Sequence, residues 1–244
     1  MTVTTVSSTH PIAQRGPLSQ TQNAQLHQSS DLQYQRREAH IPKSSNENEP
    51  LYVLTLFTDK KHHGYMTALR RQWFPQHLLK VDAHVTLFHA LPGSKLADMK
   101  QDISAVAAGT KKFPIVVDTK GVFEMGKGVG INVSTSGGGQ YKPGRIRSEL
   151  REKWQPFLSK QDSGKKWNAH YTIMNKQDDH EEIRKCLEYL NEGHANHAGT
   201  VEGLSLWLYD KGRWRPNEVW KFMDNPPKSA DEKLDDGETK DQSQ

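Results

Sequence analysis

The sequence contains a single cysteine, Cys186, among 244 residues. One thiol can form neither a disulfide within the chain nor a cysteine-based zinc site, so both kinds of cross-link are excluded. A reducing intracellular compartment is therefore expected. Cys186 recurs with Ile183, Leu187 and Leu190 at helical spacing, which predicts a buried, unreactive thiol.

Long apolar runs are also missing. No stretch approaches the roughly 18 apolar residues that a membrane-spanning helix needs, and the first residues lack the apolar core of a secretory signal. We therefore expect no membrane association and an intracellular location, cytoplasmic or nuclear. A mitochondrial presequence stays open, because no acidic residue precedes Asp31, although Arg15 is the only basic residue before Arg36.

Two segments are poor in large apolar residues. Residues 1–49 are rich in Ser, Thr, Gln and Asn, and residues 225–244 are acidic, so we interpret both as disordered tails around one domain at 50–224. The mean hydropathy of −0.84 agrees with tails that dilute an ordinary core. Because the second tail is acidic, the domain is more basic than the formal net charge of +4 indicates, which favours an anionic partner such as RNA.

Two short stretches share one pattern: Ala83-His84-Val85-Thr86-Leu87 and Ala169-His170-Tyr171-Thr172-Ile173. In a strand, residues two apart lie on the same face, so each stretch presents one imidazole and one hydroxyl together. Two such strands facing each other would form a site with two histidines and two threonines. That set suits general acid–base chemistry on a phosphate ester.

The pattern is short enough to arise by chance, and His27-Gln28-Ser29 fits it within the predicted tail. The alternative interpretation is therefore that His84 and His170 are strand histidines without a chemical role. Context favours the functional interpretation, because both stretches lie in apolar strands and occupy the same place in a repeated order.

The repeated order is strand, helix, His-x-Thr strand, helix, strand, strand. It predicts an α+β fold of two similar lobes, with each His-x-Thr strand lining a central cleft. The first half has predicted strands at 51–57, 82–90, 113–117 and 121–124, and helices at 60–74 and 94–108. The second half, which includes a glycine-rich link at 137–139, has strands at 130–133, 168–174, 201–209 and 218–222, and helices at 143–158 and 178–191.

Across about residues 50–224 the sequence resembles the two-histidine phosphoesterase superfamily, which includes the LigT-like 2′-5′ RNA ligases and the 2′,3′-cyclic-nucleotide phosphodiesterases. The resemblance rests on the paired motifs, the duplicated order, and the stretches Gly128–Val133 and Leu204–Trp207. It implies that His84 and His170 are the acid–base pair and that Thr86 and Thr172 bind the phosphate, with no metal or cofactor.

The implied activity is phosphodiesterase opening of a 2′,3′-cyclic phosphate on RNA or a small nucleotide, by a monomer. The alternatives are 2′-5′ RNA ligation and a non-catalytic module that binds RNA or nucleotides. The assignment of acid and base between the two histidines stays open.

Other residues are candidates for substrate contacts. Phe88 and Met174 either border the cleft or pack in the core, and Trp167 and Trp214 lie in loop-like contexts where a base could stack. His62 and His63 are interpreted as solvated. Six basic residues have two interpretations: they form a rim that attracts phosphate, or each is simply a solvated charge. They are Arg70, Arg71, Lys142, Arg145, Arg147 and Lys176.

Overall fold

The structure is a computed structural model that describes residues 40–43, 49–134 and 141–224. Most of the predicted tails, and the glycine-rich link at 137–139, lie outside the described residues, so the domain limits stay predictions. Residues 40–43 contact the domain: Pro42 is buried, and the backbone N–H of Lys43 donates to the carbonyl of Phe157 at 3.1 Å.

The described residues form a mixed α+β fold, as the sequence predicts. Its elements follow in the order β1 (Leu51–Thr58), α1 (Lys60–Trp73), β2 (Thr86–Pro92), α2 (Leu96–Ala108), β3 (Phe113–Glu124), β4 (Val129–Val133), α3 (Tyr141–Trp154), β5 (His170–Met174), α4 (His180–Tyr189), β6 (His197–Asp210) and β7 (Arg213–Lys221). No helix within the described ranges is both long and apolar enough to cross a membrane.

Several strands differ from their predicted limits: β2 begins at Thr86, which leaves His84 before the strand, and β6 and β7 begin earlier than predicted, at His197 and Arg213. The stretch at 113–124 differs most. The two strands expected at 113–117 and 121–124 are one strand, β3, whose register with β4 breaks between Val117 and Val122. Gly121 lies in this break, and a Cβ atom there would come within 2.5 Å of the carbonyl oxygen of Asn132. The glycine thus lets the strand continue through an irregularity where the sequence pattern predicts a turn.

All strand pairs are antiparallel and belong to one sheet, in the order β2-β1-β6-β3-β4-β5, with β7 also paired to β6. The long strand β6 is shared by two groups of strands. Its first residues, His197–Val201, pair with β3, and the remainder pairs with β1 and β7. Val201 is the junction, since it faces both Thr58 and Phe113.

A tight turn joins β6 to β7 and fixes the position of Trp214. Lys211 has φ of 48° and Gly212 has φ of 87°. Two consecutive positive φ angles match the type I′ turn that suits the twist of a β-hairpin. Trp214 lies two residues after Gly212 and pairs with Tyr209.

The helices pack across the two groups of strands. α1 begins after Asp59, whose carboxylate accepts from the backbone N–H of His62 at 2.9 Å, and it buries Met66 and Leu69. α1 contacts β5, which carries the second motif, and α3 contacts β2, which begins within the first. Each of these helices therefore packs on the strand whose motif belongs to the other half of the sequence.

Candidate active site

The first motif lies where the chain enters β2. Thr86 is the first residue of the strand and pairs with Thr55, while His84 lies in the extended segment before it. The backbone N–H of Leu56 donates to the carbonyl of Val85 at 3.0 Å, so the segment is already held to β1. Val85 is buried, and His84 and Thr86 are partly exposed, which is the alternation that the sequence predicts.

The second motif lies within β5. His170 pairs with Asn132 and Thr172 pairs with Gly130. Tyr171 is buried, and His170 and Thr172 are partly exposed, which repeats the alternation of the first motif. In the described part of the chain, no protein group is hydrogen-bonded to the hydroxyl of Thr86 or of Thr172, so both hydroxyls are available to a ligand.

The two motif histidines make the same hydrogen bond. His84 Nδ1 is 2.7 Å from the carbonyl oxygen of Asp82, and His170 Nδ1 is 3.0 Å from that of Asn168. A carbonyl oxygen only accepts, so Nδ1 carries the hydrogen in both rings. In the neutral imidazole, Nε2 is then the atom that can take up a proton, and after uptake the same atom can release it.

His84 is held in its neutral form. The ring lies against Trp214, with centroids 4.3 Å apart. Burial lowers the pKa of His84 far below 6.5; the hydrogen bond to Asp82 opposes this, and the positive charge of Arg70 adds to it.

Arg70 ties the two motifs together and is not part of a solvated rim. Its side chain is buried, with only 6% of its surface exposed. Nε donates to the carbonyl of Val81 at 3.1 Å, and a terminal nitrogen donates to the carbonyl of Thr172. The guanidinium also stacks on Phe74, 4.0 Å from the ring centroid. One arginine therefore holds the segment before His84 against the strand of the second motif.

Arg147, on α3, makes the corresponding contact to the first motif. It is buried, so it is not part of a solvated, phosphate-attracting rim either. It is 4% exposed, and its Nε donates to the carbonyl of Leu87, next to Thr86, at 3.1 Å. Its terminal nitrogens donate to the carbonyls of Gly164 and Asp162 at 3.0 and 2.9 Å. α1 and α3 thus each send a buried arginine to the backbone of the motif that lies in the other half.

Three other expectations can be compared with the structure. Phe88 and Met174 are fully buried, so core packing is the correct interpretation of both. The prediction that His62 is solvated is wrong: its ring is buried, and its Nδ1 lies 2.9 Å from Nδ1 of His197. Cys186 is buried as predicted, and burial raises the pKa of its thiol to about 12, which makes it unreactive.

Two cavities flank the motifs. The His84 cavity, of about 780 Å³, lies beside the first motif and includes Lys60, Lys80, His84, Trp207 and Trp214 in its lining. The Asn168 cavity, of about 800 Å³, lies beside the second motif and includes Asn132, Arg145, Ser148, Trp167 and Asn168. The two tryptophans considered as base-stacking residues, Trp214 and Trp167, therefore line one cavity each.

Trp167 also connects the two motifs. Its indole Nε1 donates to the carbonyl of Thr86 at 3.3 Å, and the guanidinium of Arg147 lies 5.4 Å from its ring centroid. Within the described ranges, no group of three or more His, Cys, Asp or Glu side chains is arranged to hold a metal ion. The two motifs bring two imidazoles and two hydroxyls, positioned by the backbone contacts described above.

Comparisons with known proteins identify a family and two similar folds. The model of the 2′-5′ RNA ligase superfamily matches residues 58–213, which include both motifs. Escherichia coli LigT, solved in complex with 3′-AMP, is similar in fold, with a TM-score of 0.52 at 13% identity over 72% of this chain and 99% of LigT. A Thermus thermophilus protein has a TM-score of 0.50 at 15% identity over 70% of this chain and 97% of its own. A search of curated proteins found no match.

Proposed function

The chain belongs to the 2′-5′ RNA ligase superfamily, and on that basis we propose that it is a phosphodiesterase that opens 2′,3′-cyclic phosphates on RNA ends or small nucleotides without a metal ion. The observation that carries the proposal is the matched pair of Nδ1 hydrogen bonds at His84 and His170. Both imidazoles are oriented by a backbone carbonyl two residues earlier, so both present Nε2 for proton transfer.

His84 is the general base in this proposal. Its burial and the charge of Arg70 keep it neutral near pH 7, which is the form that removes a proton from the attacking water. His170, from the other motif, then protonates the ribose oxygen that leaves phosphorus. Water enters and the ribose oxygen departs on opposite sides of the phosphorus, so a base and an acid from different strands suit the geometry of the reaction.

Thr86 and Thr172 bind the phosphate in this proposal. Negative charge grows on the two non-bridging oxygens as water attacks. In this proposal the hydroxyl beside each histidine donates to those oxygens, because such donors stabilise charge more strongly in a partly buried site than in water. A nucleotide ligand is also consistent with the structural relative LigT, which was solved with 3′-AMP bound.

RNA 2′-5′ ligation is the second candidate function. The same two imidazoles can take a proton from a ribose hydroxyl in place of water, and the superfamily takes its name from this reaction. A non-catalytic binding module is less well supported, because a domain without turnover has no need for both histidines and both threonines.

The test is turnover of a 2′,3′-cyclic nucleotide in the presence of EDTA by wild type, His84→Ala and His170→Ala. Loss of one acid–base group is expected to lower kcat by on the order of 10²–10⁴-fold. His180→Ala is the matched control, because His180 is an exposed histidine at the start of α4, outside both motifs. Equal turnover by wild type and both motif variants would refute the assignment of the site.

A further inference from the structure

The His84 cavity carries positive charge that the described residues leave uncompensated. The two acidic residues of its lining, Asp82 and Glu202, are each paired with a basic residue of the same lining. Lys60 and Lys80 also line the cavity and are exposed, and no carboxylate of the described residues lies within salt-bridge distance of either. Two ammonium groups are therefore available to an anionic partner.

The last described residues bring the chain to the edge of this cavity. Lys221, at the end of β7, is part of the lining, and three residues later Asp224 is paired with Lys112 at 2.7 Å. Lys112 also lies 3.7 Å from Glu202, another residue of the lining. Both backbone groups of Met223 are hydrogen-bonded to the segment just before β3. The residues that follow Asp224 therefore start beside the cavity.

The segment that follows has the charge to occupy the cavity. Residues 225–244 contain six acidic residues and three lysines, and residues 231–238 alone contain five of the acids and one lysine, a net charge of −4. From Asp224 to Asp231 the chain advances by seven residues, which span up to about 23 Å when extended. The acidic residues can therefore return to the cavity at whose edge the chain leaves β7.

The other terminal segment outside the described residues does not match the cavity. Residues 1–39 contain three basic and two acidic residues, so they offer no net negative charge. Residues 40–43, which follow them, pack just after α3, where Lys43 donates to the carbonyls of Phe157 and Gln155, and none of them lines the His84 cavity. Charge and position thus both favour the C-terminal segment.

We propose that the acidic segment at 231–238 docks in the His84 cavity, with Lys60 and Lys80 as its contacts, and competes there with the phosphates of nucleic-acid ligands. The proposal rests on the proposed function, since it makes the segment a regulator of the same site. A tethered segment reaches an effective concentration in the millimolar range, so exposed ion pairs that are weak one by one suffice for docking. The segment then lowers the affinity of the site for RNA.

A zero-length crosslink tests the docking directly. A carbodiimide activates a carboxylate, and the amine of a neighbouring lysine then displaces the activating group as a urea and forms an amide bond. In the monomeric fraction of the full chain, mass spectrometry should find amide bonds that join residues 231–238 to Lys60 or Lys80. Crosslinks from the segment only to lysines outside the cavity lining, such as Lys160 and Lys165, overturn the proposal.

Equilibrium binding of a single-stranded RNA oligonucleotide measures the competition. The test variant of the full chain neutralises four acids of the segment and brings its net charge to zero: Asp231→Asn/Glu232→Gln/Asp235→Asn/Asp236→Asn. At low salt we expect its Kd to be lower than that of wild type by about fivefold or more, since the competitor is removed. The difference should disappear in about 0.5 M salt, which screens exposed charges.

The matched control changes the net charge of the chain by the same amount elsewhere. It neutralises four exposed acids outside the cavity lining: Asp98→Asn/Glu149→Gln/Glu152→Gln/Glu192→Gln. Its Kd should stay within about twofold of wild type, because a local competitor is left in place. In a chain that also carries Lys60→Glu/Lys80→Glu, neutralising the segment should have no effect on the Kd.

The outcomes separate the docking from the proposed function. An equal Kd for wild type and the neutralised segment overturns the competition, and so does an equal gain in affinity in the control, which would show an effect of net charge alone. Absence of turnover by wild type, with the crosslinks to Lys60 or Lys80 intact, refutes the proposed function and supports the docking. Turnover by wild type without those crosslinks leaves the proposed function standing and overturns the docking.

Discussion

Buried arginines determine how the side chains of the site are held. Arg70 and Arg147 donate to backbone carbonyls in or near the motifs, Arg70 to Thr172 and Arg147 to Leu87. Among the described residues, neither arginine is hydrogen-bonded to the side chain of a motif His or Thr. A guanidinium has several donors in a rigid plane, so one side chain can fix two or three carbonyls that belong to different segments. The relative position of His84 and Thr172 thus depends on a residue whose hydrogen bonds go to the backbone.

Replacement of Arg70 should therefore reduce turnover more than substrate binding. Arg70→Met leaves the carbonyls of Val81 and Thr172 without their donor, at a cost of about 1–3 kcal/mol in the free energy of unfolding. We expect kcat to fall at least tenfold with a smaller change in KM, and Arg70→Lys to recover part of the loss. The measurements are steady-state kinetics and urea unfolding.

An NMR titration separates positioning from simple support of the fold. Removal of the cation beside His84 should raise the pKa of that imidazole, because Arg70 contributes to lowering it. The control is Arg184→Met, since Arg184 is an exposed arginine of α4 whose partners are Glu181 and Glu188. If Arg70→Met is less stable but has wild-type kcat and the same pKa at His84, Arg70 has no positioning role.

The shared face of the His and the Thr in each motif could be predicted from the sequence, because a spacing of two residues is the period of an extended segment. Arg70 could not, since an arginine in an amphipathic helix is exposed in most proteins, and its acceptors are carbonyls that no side-chain pattern records. His62 was missed for a similar reason. Its partner, His197, belongs to a strand far away in the sequence, and only the packing of α1 on β6 brings them together.

At the scale of elements, β2 is an edge strand whose free side is covered by a loop. Asp162, in the segment between α3 and β5, accepts from the backbone N–H of His89 at 3.0 Å and of Ala90 at 2.9 Å. Its side chain is 1% exposed. The hydrogen bonds from the edge of β2 lower the pKa of Asp162, although burial acts in the opposite direction. His89 and Ala90 lie where the register between β1 and β2 shifts, so the carboxylate accepts from two consecutive N–H groups that the ladder with β1 leaves out.

Asp162→Ala should thus destabilise the protein and leave the backbone N–H groups of His89 and Ala90 in β2 without an acceptor. Loss of a buried carboxylate that accepts several hydrogen bonds is expected to cost about 3 kcal/mol, measured by urea unfolding. The bare N–H groups of β2 should also increase aggregation, observed by light scattering. Asp178→Ala is the control, because Asp178 is an exposed carboxylate paired with Lys127. A difference below about 0.5 kcal/mol between Asp162→Ala and wild type would contradict this role.

Most elements were predictable because their apolar residues follow a regular period. α1 and β5 begin and end within about two residues of their predicted limits, since Pro75 and the apolar alternation mark them clearly. β3 was predicted as two strands because the register break at Gly121 looks like a turn in the sequence. The sharing of β6 between two groups of strands follows from long-range pairing, which local periodicity does not encode.

At the scale of the whole molecule, the contact between α1 and β6 makes stability depend on pH. His62 is fully buried against His197, Asp59 and Tyr171, with its Nδ1 hydrogen-bonded to His197. Burial, helped by the neighbouring charge of His197, lowers the pKa of His62 from 6.5 to about 4. Between these two values the unfolded chain binds more protons than the folded chain, so stability falls as the pH falls.

We expect the free energy of unfolding to decrease by up to about 1.4 kcal/mol per pH unit for His62 between pH 6.5 and 4, with a further loss from His84 in the same direction. His62→Asn should flatten this dependence, and His63→Asn, at the exposed neighbouring position, should not. The slope is measured by urea unfolding at several pH values. Equal slopes for wild type and His62→Asn would show that His62 does not titrate on unfolding.

The shared strand β6 has a consequence for synthesis of the protein on the ribosome. β1 and β3 both hydrogen-bond to β6, which begins at His197. Until that segment leaves the ribosome, both earlier strands have a bare edge and the sheet cannot close. The rate of folding is then governed by partners that are far apart in the chain, which is slow compared with local contacts. From the synthesis of β3 until that of β6, the nascent chain therefore carries two unpaired strand edges that must be kept from pairing with other chains.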